Sequence, residues 1–333
     1  MKPSPKSRSL LALALLALVA ECPSQAEEIS LSRDARQRIT NTVGRSAEAF
    51  SILGSNQGAS GGVYHSRTDT DSELRLTRFF GHIDFSAREL SKSVEATPFV
   101  EAGIAWGSAE NELGGPLEGD RNEYNSFIAS IGGGEKFSFG DHFSLSPGMG
   151  FVFANTENSY TAHSKLGRSL ERELDDVAVN WDVNSITYVP NLEGAYTRSV
   201  GGIDFTLSSQ YSYYRTDVLG GGRDTQDLET DSQVLATRIA AEFPLGISLG
   251  RLPLRSEVAY ARVDLGGDIQ DTLQTDYYNI VGLKILTRQT DNLPLLKHIG
   301  LEGRYFWGDE FDGWSAGLTL SLDQSKIGRR LRK

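Results

Sequence analysis

Two histidine–serine neighbours, His65-Ser66 and His163-Ser164, hold the side chains best suited to covalent chemistry. A histidine base within reach of a serine hydroxyl can turn it into a nucleophile against a lipid ester. Five histidines among many serines make such neighbours common by chance, and adjacent residues on a strand point to opposite faces, which works against His65 activating Ser66. No catalytic residue is therefore assigned, and the chain is not expected to be an enzyme. Two acidic sets, Asp69, Asp71 and Glu73, and Asp224, Asp227, Glu229 and Asp231, could hold Ca²⁺ or bridge divalent ions to phosphates. Neither has the spacing of a Ca²⁺-binding loop, so both read as solvated acidic loops, with no metal and no cofactor implied. Cys22 is the only cysteine, and Glu21 before it misfits lipid attachment, which needs a small residue there.

The elements that carry these residues announce themselves by a two-residue period. From Ile203 to Tyr213 nearly every odd position is apolar or aromatic and every even one polar, and Trp314, Ala316, Leu318, Leu320 and Leu322 alternate with polar or small residues. Side chains leave a strand on alternate faces, so these are two-faced strands. They run for roughly 9 to 11 residues, the length a tilted strand needs to cross a bilayer, whereas soluble sandwich strands are commonly about 5 to 6. The expected fold is all-β, a transmembrane antiparallel barrel in the cell outer membrane.

The N-terminus fits export. Lys2, Lys6 and Arg8 precede the apolar run Leu10 to Ala20, and Ser24-Gln25-Ala26 offers a cleavage site, so residues 1–26 read as a signal peptide. No later apolar run is long enough for a spanning helix. Removing residues 1–26 takes three of the 33 basic and one of the 44 acidic residues, leaving a net charge of −13, which argues against nucleic acid as a partner.

Twelve strands are expected near 59–67, 73–87, 97–107, 123–138, 143–155, 184–198, 202–216, 232–245, 251–264, 275–288, 297–307 and 313–323. Mostly compact connections alternate with long acidic ones at 108–122, 156–183, 217–231 and 265–274, the asymmetry of outer-membrane barrels, and the even count puts both termini in the periplasm. With the apolar set facing lipid, Glu101, Glu193, Arg238, Glu242, Arg255, Glu257, Lys284, Glu302 and Arg304 all point into the lumen. The second strand breaks parity: Leu74 and Leu76 share one face and Phe79, Ile83 and Phe85 the other, from which a bulge near Arg78 is expected. Gly103, Gly148, Gly150, Gly194, Gly282, Gly303 and Gly317 mark bends or close approaches within strands. Trp106, Tyr188, Tyr213, Tyr277, Trp307 and Trp314 gather toward the long loops, and Phe139, Phe143, Phe205 and Phe243 toward the turns, as two interfacial girdles.

Between signal and barrel lies a different pattern. Ile39, Val43, Ala47 and Phe50 recur at helical spacing after a candidate cap at Ser32, predicting a helix of about 20 residues, near 30 Å long. Its Arg33, Arg36, Arg38 and Arg45 could face the luminal glutamates, making it a candidate pore plug. Loop 156–183 contains Leu166 to Leu174, a short helix above the mouth.

A twelve-stranded barrel preceded by a helix able to occupy its pore resembles the translocator domain of autotransporters. The last strand is similar to the assembly signal of outer-membrane proteins through Ser315, Gly317, Leu320 and Leu322, although Asp323 and a basic tail follow where the signal normally ends in an aromatic. The resemblance covers roughly residues 32–323. Only about 30 residues separate the cleavage site from the first strand, so the chain looks like a solitary autotransporter-type barrel without a passenger. The expected organisation is signal peptide 1–26, helical segment 27–57, barrel 58–324 and basic periplasmic tail 325–333. The expected role is structural or in surface interaction, with a narrow or helix-plugged pore. Outer-membrane lipids, lipopolysaccharide and the barrel-assembly machinery are the expected partners, and the surface ligand is unknown. A small-solute, porin-like channel and an outer-membrane lipid hydrolase are the alternatives.

Overall fold

The computed structural model describes residues 49, 52, 59–66, 72–112, 117–175, 179–220, 229–250, 252–273, 275–288, 296–309 and 311–322. The segments expected to be signal peptide and basic tail, and Arg33, Arg36, Arg38 and Arg45, lie outside them. Thirteen strands follow in order: β1 (Ala59–Ser66), β2 (Ser72–Asp84), β3 (Arg88–Ser91), β4 (Val94–Glu112), β5 (Arg121–Phe139), β6 (Phe143–Thr161), β7 (Asp182–Val200), β8 (Ile203–Gly220), β9 (Glu229–Leu249), β10 (Leu252–Gly267), β11 (Tyr277–Arg288), β12 (Leu296–Gly308) and β13 (Phe311–Leu322). Two short helices, α1 (Lys165–Leu174) and α2 (Asp268–Leu273), sit in loops. All pairings between strands are antiparallel and, apart from the short β3, join neighbours in the chain; β1 closes the sheet on β13, with Ala59 opposite Leu318 and Ser66 opposite Phe311. β3 resumes β2 after a break at 85–87, and both pair with β4, so the closed barrel has twelve staves. Closure leaves no sheet edge running the length of the wall, the condition for a sheet in lipid.

Each expected strand is present, and most run longer than the hydrophobic pattern suggested. On β6 the outward residues Phe143, Leu145, Met149, Phe151 and Phe153 are apolar, and the next outward ones, Asn155, Glu157, Ser159 and Thr161, are polar. Eleven residues at a rise of about 3.4 Å and a tilt of about 45° cover roughly 26 Å, the height of an outer-membrane apolar band. The remaining residues of β6 carry the wall above the bilayer. This extension is lopsided: β4 to β7 have 19 residues each, whereas β1, β11 and β13 have 8, 12 and 12. Above the belt, outward charges pair along the rim, Arg121 with Glu110 at 3.0 Å, Arg215 with Glu229 at 2.8 Å and Arg262 with Asp264 at 2.8 Å. At the opposite end, Gly140, Gly201, Gly202 and Gly250 take positive φ in tight turns that a residue with a Cβ enters only under strain.

The bulge expected near Arg78 is absent. β2 pairs with β4 in unbroken register from Ser72 to Asp84, and its pairing with β1 is equally regular. Leu74 and Leu76 face inward because the upper lumen is itself apolar at their level, and Leu76 is buried in a cluster that fills it. Parity therefore holds throughout β2, with Phe79 and Ile83 outward and Arg78 inward.

Candidate functional site: the barrel lumen and its mouth

Inward-facing residues form layers. Nearest the turns is a charged zone. Glu257 accepts from Arg238 at 2.6 Å and from Lys284 at 3.0 Å, linking three adjacent strands. Arg304 binds Glu302 at 2.7 Å, and Arg255 binds Asp204 at 2.9 Å and also Glu242. Glu101 accepts from His82 at 2.8 Å, whose other ring nitrogen lies 2.9 Å from Asp84. Glu193 lines, with Arg238, Glu257, Lys284, Glu302 and Arg304, a cavity of about 420 Å³. These nine charges, read from strand parity, thus lie together on the inner wall. His82, Asp84 and Asp204 were not singled out in the sequence, although each shares the inward parity of its strand and could have been found by the same count.

Above the charged zone the wall is apolar and hydroxylic. Leu76, Ile128, Val152, Val183 and Phe306 form one cluster with Trp181 and with Ile269 of α2, and Tyr124 meets Trp181 edge-on at 5.9 Å. Hydroxyls between these groups satisfy one another, Ser126 with Thr156 at 2.9 Å and Thr187 with Thr216 at 2.8 Å. Two residues from before the barrel, Ala49 and Ile52, are helical and belong to this cluster, 7% and 5% exposed. Ile52 also lines the charged cavity beneath. Burying such a side chain is worth about 1.5–3 kcal/mol relative to leaving it in water.

The mouth is organised by a carboxylate. Asp120, 1% exposed, precedes β5 and accepts four hydrogen bonds: from the His163 and Ser164 backbone N–H groups at 2.6 Å each, the Tyr160 hydroxyl at 2.7 Å and the Ser164 hydroxyl at 2.8 Å. Ser164 is the N-cap of α1, its Oγ accepting from the Gly167 N–H at 2.8 Å. α1 has no acidic residue in its first turn, and Asp120 supplies the negative charge its N-terminus favours. Burial pushes the Asp120 carboxyl up, but the bonds from Ser164, Tyr160 and His163 outweigh it and hold the group below the usual carboxylate range. Farther along the loop, Asn180 at φ 56° joins Tyr160, Asn158 and Asp175 by hydrogen bonds. The sequence holds no local signal for Asp120, whose partners stand 40 to 44 residues away. A Cβ on Gly167 would lie 2.0 Å from Asp120 Oδ2, so Gly167→Ala is expected to cost about 1–3 kcal/mol of loop stability, read as faster protease cleavage within 162–181.

Of the two histidine–serine neighbours, Ser164 spends its hydroxyl on the cap and on Asp120, while His163 contributes backbone N–H and carbonyl groups. His65 and Ser66 end β1 opposite Glu73 and Ser72. Among the described residues, no group of histidine, cysteine and carboxylate side chains could hold a metal ion. Ser315 and Gly317 lie on the inward side of β13, and Leu320 and Leu322 continue it in register with Ile299 and Leu296 of β12. Of the aromatics near strand ends, Trp106 and Trp314 at the loop end and Phe139, Phe143 and Phe205 at the turn end are outward and exposed.

Residues 82–321 match the family described as solitary outer membrane autotransporter beta-barrel domain. Among solved structures, the transport unit of the autotransporter AIDA-I from Escherichia coli superposes with a TM-score of 0.56 at 9% identity, over 86% of this chain and 98% of that one. The translocator domain of NalP from Neisseria meningitidis gives 0.52 at 13%, over 86% and 96%, and the β domain of Bordetella BrkA gives 0.52 at 10%, over 79% and 98%. No curated protein matches by sequence. A closed barrel of this height, with short turns at one end and a family match across most of its length, makes the chain a member of the solitary outer-membrane autotransporter β-barrel family, seated in the outer membrane.

Proposed function

We propose that this barrel is a closed, non-catalytic outer-membrane scaffold whose outer end interacts with its surroundings, and that the helix before β1 keeps its pore shut. The observation that carries this reading is the burial of Ala49 and Ile52 in the upper apolar layer, among side chains drawn from strands all around the wall. An open porin would keep that level polar and wet. The salt bridges Arg238–Glu257–Lys284 and Arg304–Glu302 then line a vestibule below the plug, where Arg33, Arg36, Arg38 and Arg45 would approach Glu193 and Glu101. The partners are outer-membrane lipids and lipopolysaccharide around the belt and rim, and the barrel-assembly machinery, which would read Ser315, Gly317, Leu320 and Leu322 on β13. Deleting residues 30–54 should raise single-channel conductance in planar bilayers severalfold. Unchanged conductance, with the barrel still folded by its gel mobility unheated and boiled, would remove the plug.

A further inference from the structure

We propose that α1 is a docking site for phosphorylated saccharide head groups of the outer leaflet, which deepens the surface-interaction reading above. Lys165, Arg168 and Arg172 are exposed, and at 100° per residue they fall within about 60° of arc on α1. Gly167, buried against Asp120, is on the far side. Among the described residues, none of the three pairs with a carboxylate. Arg168 donates to the His163 carbonyl at 2.7 Å and Arg172 to the Arg168 carbonyl at 3.3 Å, and among the described residues their remaining guanidinium donors have no partner. Other arginines of the outer end, Arg75, Arg121, Arg215 and Arg262, are each neutralised by a rim carboxylate.

Helix stability alone does not account for this arrangement. Arg168 and Arg172 stand at i and i+4, where like charges repel by about 0.2–0.5 kcal/mol, and Lys165 occupies the first turn, which disfavours a cation. The cations therefore share one exposed face of α1, whose N-terminus Asp120 anchors, on a chain of net charge −11. β6 runs eight residues beyond Phe153, which lifts α1 roughly 19 Å above the apolar belt at the same rise and tilt, to the height of saccharide head groups rather than of acyl chains. Guanidinium groups with free donors match phosphate by charge and by fork geometry.

The test compares the full chain with a Lys165→Gln, Arg168→Gln, Arg172→Gln variant, each folded in nanodiscs, titrated with phosphorylated lipopolysaccharide, the same glycolipid dephosphorylated, and soluble polyphosphate. At roughly fivefold per cation, the variant should bind phosphorylated glycolipid on the order of 100-fold more weakly, and dephosphorylation should weaken the unaltered protein similarly. A second variant, Arg168→Lys with Arg172→Lys, keeps the charge but loses the fork and should bind more tightly than the glutamine variant and more weakly than the unaltered protein, which separates lost charge from a lost helix. Equal affinity of the glutamine variant overturns the proposal, and so does tight polyphosphate binding without glycolipid binding, which would make the partner a soluble polyanion. Conductance plays no part in this readout, so a failed plug experiment leaves it standing.

Discussion

Asp120→Ala should release the mouth loop while leaving the barrel intact. Removing the carboxylate takes the acceptor from two backbone N–H groups and two hydroxyls at once, all four donors lying within Tyr160, His163 and Ser164, N-terminal to α1. Hydrogen bonds to a charged group contribute about 1.5–3 kcal/mol each and are not additive, so a loss of about 3–4 kcal/mol is expected, enough to populate the open loop. Ser164→Ala removes the cap and one bond to Asp120 and should cost less, about 1–2 kcal/mol. Protease added to intact cells should cut within 162–181 in Asp120→Ala, while the folded band of unheated protein keeps its mobility. Cleavage no faster than in the unaltered chain would show that the loop is held by other contacts.

The same site carries a pH dependence with a definite sign. Asp120 is held below its unfolded value, so its contribution is complete above about pH 4. It is lost as pH falls through the lowered folded value, and protonation of the carboxyl should loosen the loop in strong acid only. Between pH 5 and 8 the protease resistance of the loop should be flat.

Gly134→Val should prevent much of the chain from reaching the folded barrel. A Cβ at Gly134 would lie 2.2 Å from the Pro147 carbonyl oxygen, 2.7 Å from the Phe99 ring and 2.9 Å from Gly148 Cα. Two of these neighbours are backbone of the adjoining strand and cannot swing aside. Overpacking costs about 1–3 kcal/mol where side chains can shift, and more is expected here. Gly303→Val is the matched control: nothing lies within 4 Å of its Cβ position, which faces lipid beside Leu301 and Tyr305, and a change within about 0.5 kcal/mol is expected. The measurement is the fraction of unheated protein that migrates as folded, followed by urea titration. Equal folded fractions for both variants would mean that the sheet yields at Gly134 more easily than its geometry indicates. Among the glycines marked in the sequence, Gly103 and Gly148 are close approaches of this kind, to Phe80 and to Asn191, whereas Gly194, like Gly303, borders open space.

Two-residue alternation alone implies the barrel, its twelve staves and the lipid-facing side of every strand but the second, because a hydrocarbon belt imposes a strict period of two. Glu257, Lys284 and Arg304 could be placed together on the inner wall by counting alone. Above the belt that constraint ends. On β6 the outward Asn155, Glu157 and Ser159 and the inward Thr156, Asn158 and Tyr160 are all polar or amphipathic, so alternation vanishes and the pattern predicts a loop from residue 156. Leu74 and Leu76 show the converse: an apolar pair out of step with Phe79 and Ile83 predicts a bulge, whereas the filled upper lumen supplies its partners in unbroken register. The layering of the lumen, the placing of Ala49 and Ile52 within it, and the mooring of α1 by Asp120 emerge only in the folded barrel. Each depends on groups tens to hundreds of residues apart meeting inside a closed cylinder, and short-range spacing carries no record of such meetings.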